Sequence, residues 1–497
     1  MKKNCIFILA LLIIGTLGIS AQTNLHPKRE FRGVWMHTVS NNYYKNLTPE
    51  QWRDTISKQL DEYQKNGINA IVFQVRPEGD AFYKSDLEPW SRFLTGEQGK
   101  APEPFFDPME FLIEECHKRC MEFHAWLNPY RANSNKENRL VWFHRYYEKR
   151  YLFISYGNQL FFNPGIPENR EFICQVVKDI VSRYDVDAIH MDDYFYPYPI
   201  KGIKFPDDAT FKKYGIPDGY TNATKGDWRR DNVNKLIQEL NSTIKSTKPW
   251  VRFGISPFGI YRNKRQDENG SNTNGLCNYD DLYADIMLWV RNGWIDYCVP
   301  QLYWEIGHKL ADFEVLAHWW AENTNPNVRL YIGEDVMRTY NQLAQKMELT
   351  RSLKNIEGNC FWSGDALLKN PGGIEDSLQK RYHLKPALLP LYNNIDSISP
   401  DAPYKLNFDL MGTEPLLKWE SGIETLETNK VRYYAVYSFD INETINITST
   451  RNLLGFTINK YYTLPENADA LCKKYVVTAI DRVHNESKPS EALLYTE

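Results

Sequence analysis

Apolar residues recur along this chain in two alternating rhythms. Short runs rich in β-branched and aromatic residues are separated by longer segments in which apolar positions return every three or four residues, the first reading as strands and the second as amphipathic helices. From residue 31 to about 390 the strand candidates are FRGVWMHTV, NAIVFQV, EFHAWLNP, DAIHMDD, VRFGISPFG, DYCVPQLYW, VRLYIGED and NCFWSGDA, beginning at Phe31, Asn69, Glu122, Asp187, Val251, Asp296, Val328 and Asn359. Between them lie helical patterns: PEQWRDTISKQLDEYQKNG follows Thr48 as its cap and ends at Gly67, while Asp107 and Asp312 stand in capping positions before two others. Eight strand–helix pairs predict a (β/α)8 TIM barrel with enlarged loops over residues 28–392; an open doubly wound sheet is the alternative. No G-x-G-x-x-G turn follows the first strand, which removes support for a dinucleotide-binding version.

After Pro386, Pro390, Pro400 and Pro403 the rhythm changes. KLNFDL, LLKWE, VRYYAVYSF, INITST and KKYVVTAID read as short strands with no helix between them. They predict a C-terminal all-β sandwich over residues 400–497, resembling fibronectin type III domains, with Trp419 and Tyr475 in its core. At the other end, two lysines, an apolar run from Ile6 to Ile19 and small residues before Gln22 predict a signal peptide over residues 1–21. An exported protein, periplasmic, extracellular or on the cell surface, is expected, with no integral membrane segment in the mature chain.

Composition narrows the partners. The 497 residues are 42% hydrophobic and 25% charged with a formal net charge of −4, so the chain carries no basic footprint for nucleic acid. Its 14 Trp and 32 Tyr suit clefts that stack sugar rings as well as a large core. Beyond Cys5 the cysteines Cys116, Cys120, Cys174, Cys277, Cys298, Cys360 and Cys472 have no metal-site spacing and read as buried free thiols. Oligomeric state has no signature in the sequence.

In a TIM barrel, chemistry is delivered by the C-terminal ends of the strands. The first supplies Trp35 and His37; the second Gln74 and Arg76, with Glu78, Asp80 and Tyr83 in its loop; the third Trp126, Asn128, Tyr130 and Arg131. The fourth supplies His190, Asp192, Asp193 and Tyr194; the fifth Ser256, Phe258 and Arg262; the sixth Gln301, Tyr303, Trp304 and Glu305; the seventh Glu334 and Asp335. With period two, His190 and Asp192 point into the barrel, and the end of the strand frees Asp193 from that rule.

Glycoside hydrolysis needs two carboxyl groups, one protonated acid and one ionised nucleophile or base. Asp192 and Glu305 are the expected pair, Glu305 as an acid desolvated by the aromatics of QLYWE, with Asp193, Asp80 and Glu334 as substitutes. Expected to bind the glycan are Trp35, His37, Arg76, Asp80, Tyr83, Asn128, Tyr130, Arg131, His190, Tyr194, Arg262, Gln301, Tyr303 and Trp304. A metal site from His37, His190, Asp192 and Asp193 is the competing chemistry; it lacks the paired histidines of metallohydrolases, and no metal or cofactor is expected. GISPFG lacks G-x-S-x-G, and Pro257 directly after Ser256 removes an oxyanion-hole N–H.

EFRGVWMHTVSN, FQVRPEGDAFY, WLNPYR, HMDDYFYP, FGISPFGIYRN and PQLYWEIG together resemble the glycosyl-hydrolase-like ten family of bacterial secreted proteins. The resemblance implies a TIM barrel and a glycosidase-type site. Some members of that family are similar to enzymes that cut peptidoglycan glycan strands, particularly strands stripped of their peptides, so peptidoglycan is the first substrate expectation. Arg76, Asn128, Tyr130, Arg131 and Trp304 match its motifs as subsite residues, with Arg131 or Arg262 able to meet a sugar carboxylate. A non-catalytic carbohydrate-binding or surface protein on the same barrel is the alternative.

Overall fold

The computed structural model describes residues 26–411, 414–422, 426–464 and 472–495; the expected signal peptide lies outside them. Eight parallel strands close into a barrel: β1 (Phe31–Met36), β2 (Ala70–Arg76), β3 (Glu122–Leu127), β4 (Ala188–Met191), β5 (Arg252–Ile255), β6 (Tyr297–Cys298), β7 (Arg329–Asp335) and β8 (Ile356–Trp362). The circle closes where β1 pairs with β8, Gly33 opposite Cys360. All eight overlap the runs read from the sequence, with β8 starting earlier than its run, at Ile356, and β2 reaching Arg76. The β5 and β6 runs extend further in the sequence than in the barrel, because Pro257 and Pro300 follow soon after each strand and offer no N–H to a ladder.

The helices form the outer ring. Helix α1 (Pro49–Lys65) starts on a capping box in which the Thr48 side chain accepts from the Gln51 N–H and the Gln51 side chain from the Thr48 N–H. Helices α2 (Pro108–Lys118) and α5 (Phe313–Asn323) start on Asp107 and Asp312, whose carboxylates accept first-turn N–H groups. Between α2 and α5 come α3 (Pro167–Arg183) and α4 (Lys225–Thr247), buried along one stripe by residues such as Ile173, Val177, Leu236 and Leu240. The loop after β3 adds a small antiparallel sheet, with Gln159–Phe162 between Arg131–Asn133 and Phe153–Tyr156.

The C-terminal region is two antiparallel sheets. One orders Tyr404–Met411, Glu414–Glu420 and Tyr461–Thr463; the other orders Leu453–Thr457, Tyr433–Asp440, Lys473–Ile480 and Leu493–Tyr495. Trp419 and Tyr475 are buried between them, as expected. INITST is not a strand: the Asn446 side chain accepts from the N–H and hydroxyl of Thr448 and holds a turn there, and the strand comes later, at Leu453–Thr457. This unit seats on the N-terminal face of the barrel, where Arg432 and Arg482 meet Asp185 at 2.7 and 2.8 Å and Arg252, at the start of β5, donates to the Arg482 carbonyl. Of the cysteines, Cys116, Cys277, Cys298 and Cys360 are buried free thiols, Cys120 and Cys174 are half-buried, and Cys472 is exposed, against the uniform burial expected.

Where the barrel closes, β1 and β8 approach most tightly at Gly358. Gly358 in β8 has φ +145°, and a Cβ there would stand 2.0 Å from the Phe31 carbonyl oxygen on β1. Gly358→Ala is therefore expected to destabilise the protein by more than about 2 kcal/mol, read as a lower urea midpoint with an unchanged slope.

Candidate active site

A pocket of about 320 Å³ opens at the C-terminal ends of the barrel strands. Its walls are largely aromatic, with Trp35 from β1, Trp126 from β3, Tyr303 and Trp304 after β6, and Trp362 ending β8. Trp362 is the hub of this wall: Trp35 and Trp126 meet it edge-on at 6.4 and 6.2 Å, and Tyr303 lies nearly parallel at 6.5 Å. Such faces carry partial negative charge and suit the C–H surface of a sugar ring. Asp192, Asp193 and Asp335 bring the carboxylates.

Strand β4 ends at Met191, so the period-two rule holds through that residue and then lapses. His190 points into the barrel and Met191 packs toward the helices, while Asp192 and Asp193 both reach the pocket. Their surroundings differ. Asp192 accepts from the Asn128 amide at 3.0 and 3.1 Å and from the Trp126 indole at 3.2 Å, with the Tyr194 N–H at 3.4 Å. Burial pushes its pKa upward, and Arg131 together with these donors works against that rise. Asp193 accepts from the Tyr198 hydroxyl and interacts with Gln301. Burial and the adjacent Asp192 charge push it up to about 7. Both neighbouring carboxyls are pushed up, Asp193 to about 7, while the donors around Asp192 favour its ionised form.

Several expected site residues brace the pocket from behind. Arg131 packs over the Tyr194 ring at 4.7 Å and donates to the Pro77 carbonyl. Arg76 is buried in a two-point ion pair with Glu88 at 2.5 and 2.7 Å and donates to the Asn128 carbonyl, which sets the loop carrying Asn128. His190 lies under Trp35, accepting its indole N–H at 3.2 Å, and is sealed from the pocket. His37 packs beside Trp362 with ring centres 5.2 Å apart, and burial lowers its pKa.

Others belong elsewhere. Glu305 is exposed on the loop after β6 and does not line the pocket, so the desolvation expected to make it an acid is not realised. Arg262 is engaged by Asp267 and Asp280 at 2.6 and 2.9 Å. Glu334 points away from the pocket to a buried ion pair with Lys346. Asp80 is buried in the loop after β2 against Gln98 and is pushed up to about 7 by burial and Glu78. Tyr83 and Tyr130 are core residues. The metal set fails on His190, whose two ring nitrogens are taken by Trp35 and Tyr297; among the described residues no group of three or more His, Cys, Asp or Glu is placed to hold an ion.

Sequence reasoning left out Trp362, although the strand-end rule reaches it at the tip of β8. It also left out Tyr198 and Arg338, which lie beyond the strand ends and reach the pocket by the path of their loops. Arg338 is the cation on the wall, 3.3 Å from Asp335.

The Asp193 environment has a consequence for stability. A carboxyl whose folded-state value lies above its unfolded value contributes stability below the unfolded value and loses it as pH rises through the folded one. Asp193→Asn carries no such proton, so its melting temperature should exceed that of the wild type by a margin that grows between pH 3.8 and about 7 and is level above. Calorimetric scans across this range check it; a margin independent of pH would remove the assignment.

Comparison with known proteins follows the same line. Over nearly its whole length the chain is similar to glycosyl hydrolase YngK of Bacillus subtilis, 42% identical over 99% of this chain and 98% of that one. It is 39% identical to glycosyl hydrolase DigH of Escherichia coli K12 over 63% of this chain and 74% of that one. Among solved structures, the glycoside hydrolase domain of PgaB (BpsB) from Bordetella bronchiseptica is 12% identical, covering 70% of this chain and 99% of that one, with a TM-score of 0.47. The family model described as glycosyl hydrolase-like 10 matches residues 30–348, and with the relatives at this identity the chain belongs to that family.

Proposed function

We propose that this protein is an exported glycoside hydrolase whose first substrate class is peptidoglycan glycan strands. The observation that carries the reading is the unequal carboxyl pair of Asp192 and Asp193 in a pocket walled by tryptophan and tyrosine. Asp193, protonated up to about pH 7, delivers its proton to the leaving glycosidic oxygen. Asp192, held by Asn128 and Trp126, stays ionised and meets the positive charge that grows at the anomeric carbon, as nucleophile or as electrostatic partner. Asp335 reaches the same pocket from β7 and is the remaining carboxylate able to activate water. Arg338 is the cation available to an acidic substituent on the sugar, the role expected of Arg131 or Arg262.

The remaining assignments follow the same proposal. Residues 1–21 direct export, residues 28–392 form the catalytic barrel, and residues 400–497 are a sandwich of the fibronectin type III kind, supported by its arrangement of three strands against four.

Product analysis by mass spectrometry, after incubation with peptide-free peptidoglycan strands and a panel of other polysaccharides, tests the activity. Wild type should release short sugars, and Asp192→Asn and Asp193→Asn should each lower turnover by about 100-fold or more while retaining glycan binding. Because the acid must be protonated, kcat/KM should fall as pH rises through about 7, and this limb should vanish in Asp193→Asn. Binding without cleavage across the panel would make the protein a carbohydrate-binding barrel instead.

A further inference from the structure

The interior of a (β/α)8 barrel is ordinarily filled by layers of apolar side chains. Here a polar column passes through the layers. Its members are Trp35 on β1, His190 on β4, Tyr297 on β6, and His124 and Glu122 on β3, every one of them buried. Below Glu122 stands His484, contributed by the C-terminal sandwich. The Tyr297 ring fits because β5 presents Gly254 beside it; a Cβ there would lie 2.0 Å from the ring.

With His190 and His124 as neutral imidazoles, the end groups fix the direction of each bond from Trp35 to Glu122. An indole N–H only donates, so His190 Nε2 must accept from Trp35 at 3.2 Å and carries no proton. The proton of His190 is then on Nδ1, which donates to the Tyr297 hydroxyl oxygen at 3.0 Å. Tyr297 has one hydrogen and gives it to His124 Nδ1 at 2.8 Å; His124 Nε2–H donates to Glu122 at 2.9 Å. From below, His484 Nε2 donates to the other Glu122 oxygen at 2.6 Å, and its Nδ1 faces the Pro390 carbonyl at 2.6 Å, so both ring nitrogens meet acceptors. Arg252 completes the clamp on Glu122.

We propose that this column is a positioning device that fixes the ring of Trp35 in the pocket, and that the C-terminal sandwich is its lower anchor through His484. His190, Tyr297, His124 and Glu122 are then positioning residues, and the sandwich is a structural part of the site. The catalytic consequence rests on the pocket being a glycosidase site; the geometry of the column does not.

Two measurements on the full-length protein separate these levels. Imidazole 15N spectra should find His190 as the Nδ1–H tautomer and His124 as the Nε2–H tautomer, and His484→Ala should shift the resonances of His124 and His190. An Nε2–H tautomer at His190, or no shift in a folded His484→Ala protein, would overturn the proposal. In kinetics, Tyr297→Phe keeps the ring and removes the hydroxyl; it should lower kcat by about tenfold with little change in KM. Trp35→Phe should lower turnover too, and the double variant should be no worse than the more impaired single one, since both changes act through the same ring. Effects that multiply would mean that Tyr297 acts elsewhere and would overturn the proposal. If wild type cleaves no glycan, the catalytic reading falls and the tautomers still decide the column.

Discussion

At the bottom of the barrel one buried carboxylate holds three parts of the molecule in register. Glu122 accepts from His124 on its own strand, from Arg252 at the start of β5 and from His484 in the sandwich. Burial alone would raise its pKa, yet Arg252 and the two histidines hold it well below the ordinary carboxylate range. Removing a partner from such a cluster costs about 3–5 kcal/mol, because the remaining charge is stranded out of water. The bottom of β3 and β5 and the seat of the sandwich are therefore set by the same two oxygen atoms.

The opposite end treats its carboxyls in the reverse way. Among the groups that shift Asp193, burial and its neighbour Asp192 dominate, and what opposes them comes from Tyr198, Gln301 and a backbone donor. Cations gather at the base, where Arg252 of the barrel and Arg432 and Arg482 of the sandwich meet Glu122, Asp185 and Asp187, while the pair at the top is left raised. A satisfied base and a frustrated rim are the usual division between stability and chemistry in this architecture.

The barrel was legible in the sequence because each strand is an apolar run flanked by helical periodicity, and such runs have few alternative readings. Trp35, Asp192, Tyr194, Gln301, Tyr303 and Trp304 followed from strand ends alone and line the pocket. Glu305 did not, because it lies well past the end of β6 at Cys298, where the chain has turned outward and period two no longer applies. Arg76 and Arg262 looked like substrate ligands for the reason that makes them braces: a guanidinium at a strand end or in a loop pairs with whichever carboxylate the fold supplies, and Glu88 and Asp280 lie 12 and 18 residues further along the chain. His190 was recognisable as an inward-facing residue, but its partners Tyr297 and Trp35 lie on other strands, so no local pattern records them.

A row of histidines and a tyrosine leading to a carboxylate invites comparison with a proton relay, and the direction of the bonds argues against one. Every donor above Glu122 points down the column, and the upper end is the Trp35 indole N–H, a group that neither accepts a proton nor gives one up in water. A relay needs an exchangeable site at each end; this column has one only at its base. Burial also holds the His190 pKa well below that of a free imidazole, so the ring stays neutral and keeps the lone pair that grips Trp35. What the column can transmit is orientation: a shift of the sandwich moves Glu122, and the chain of hydrogen bonds carries that shift to Trp35 in the aromatic wall of the pocket.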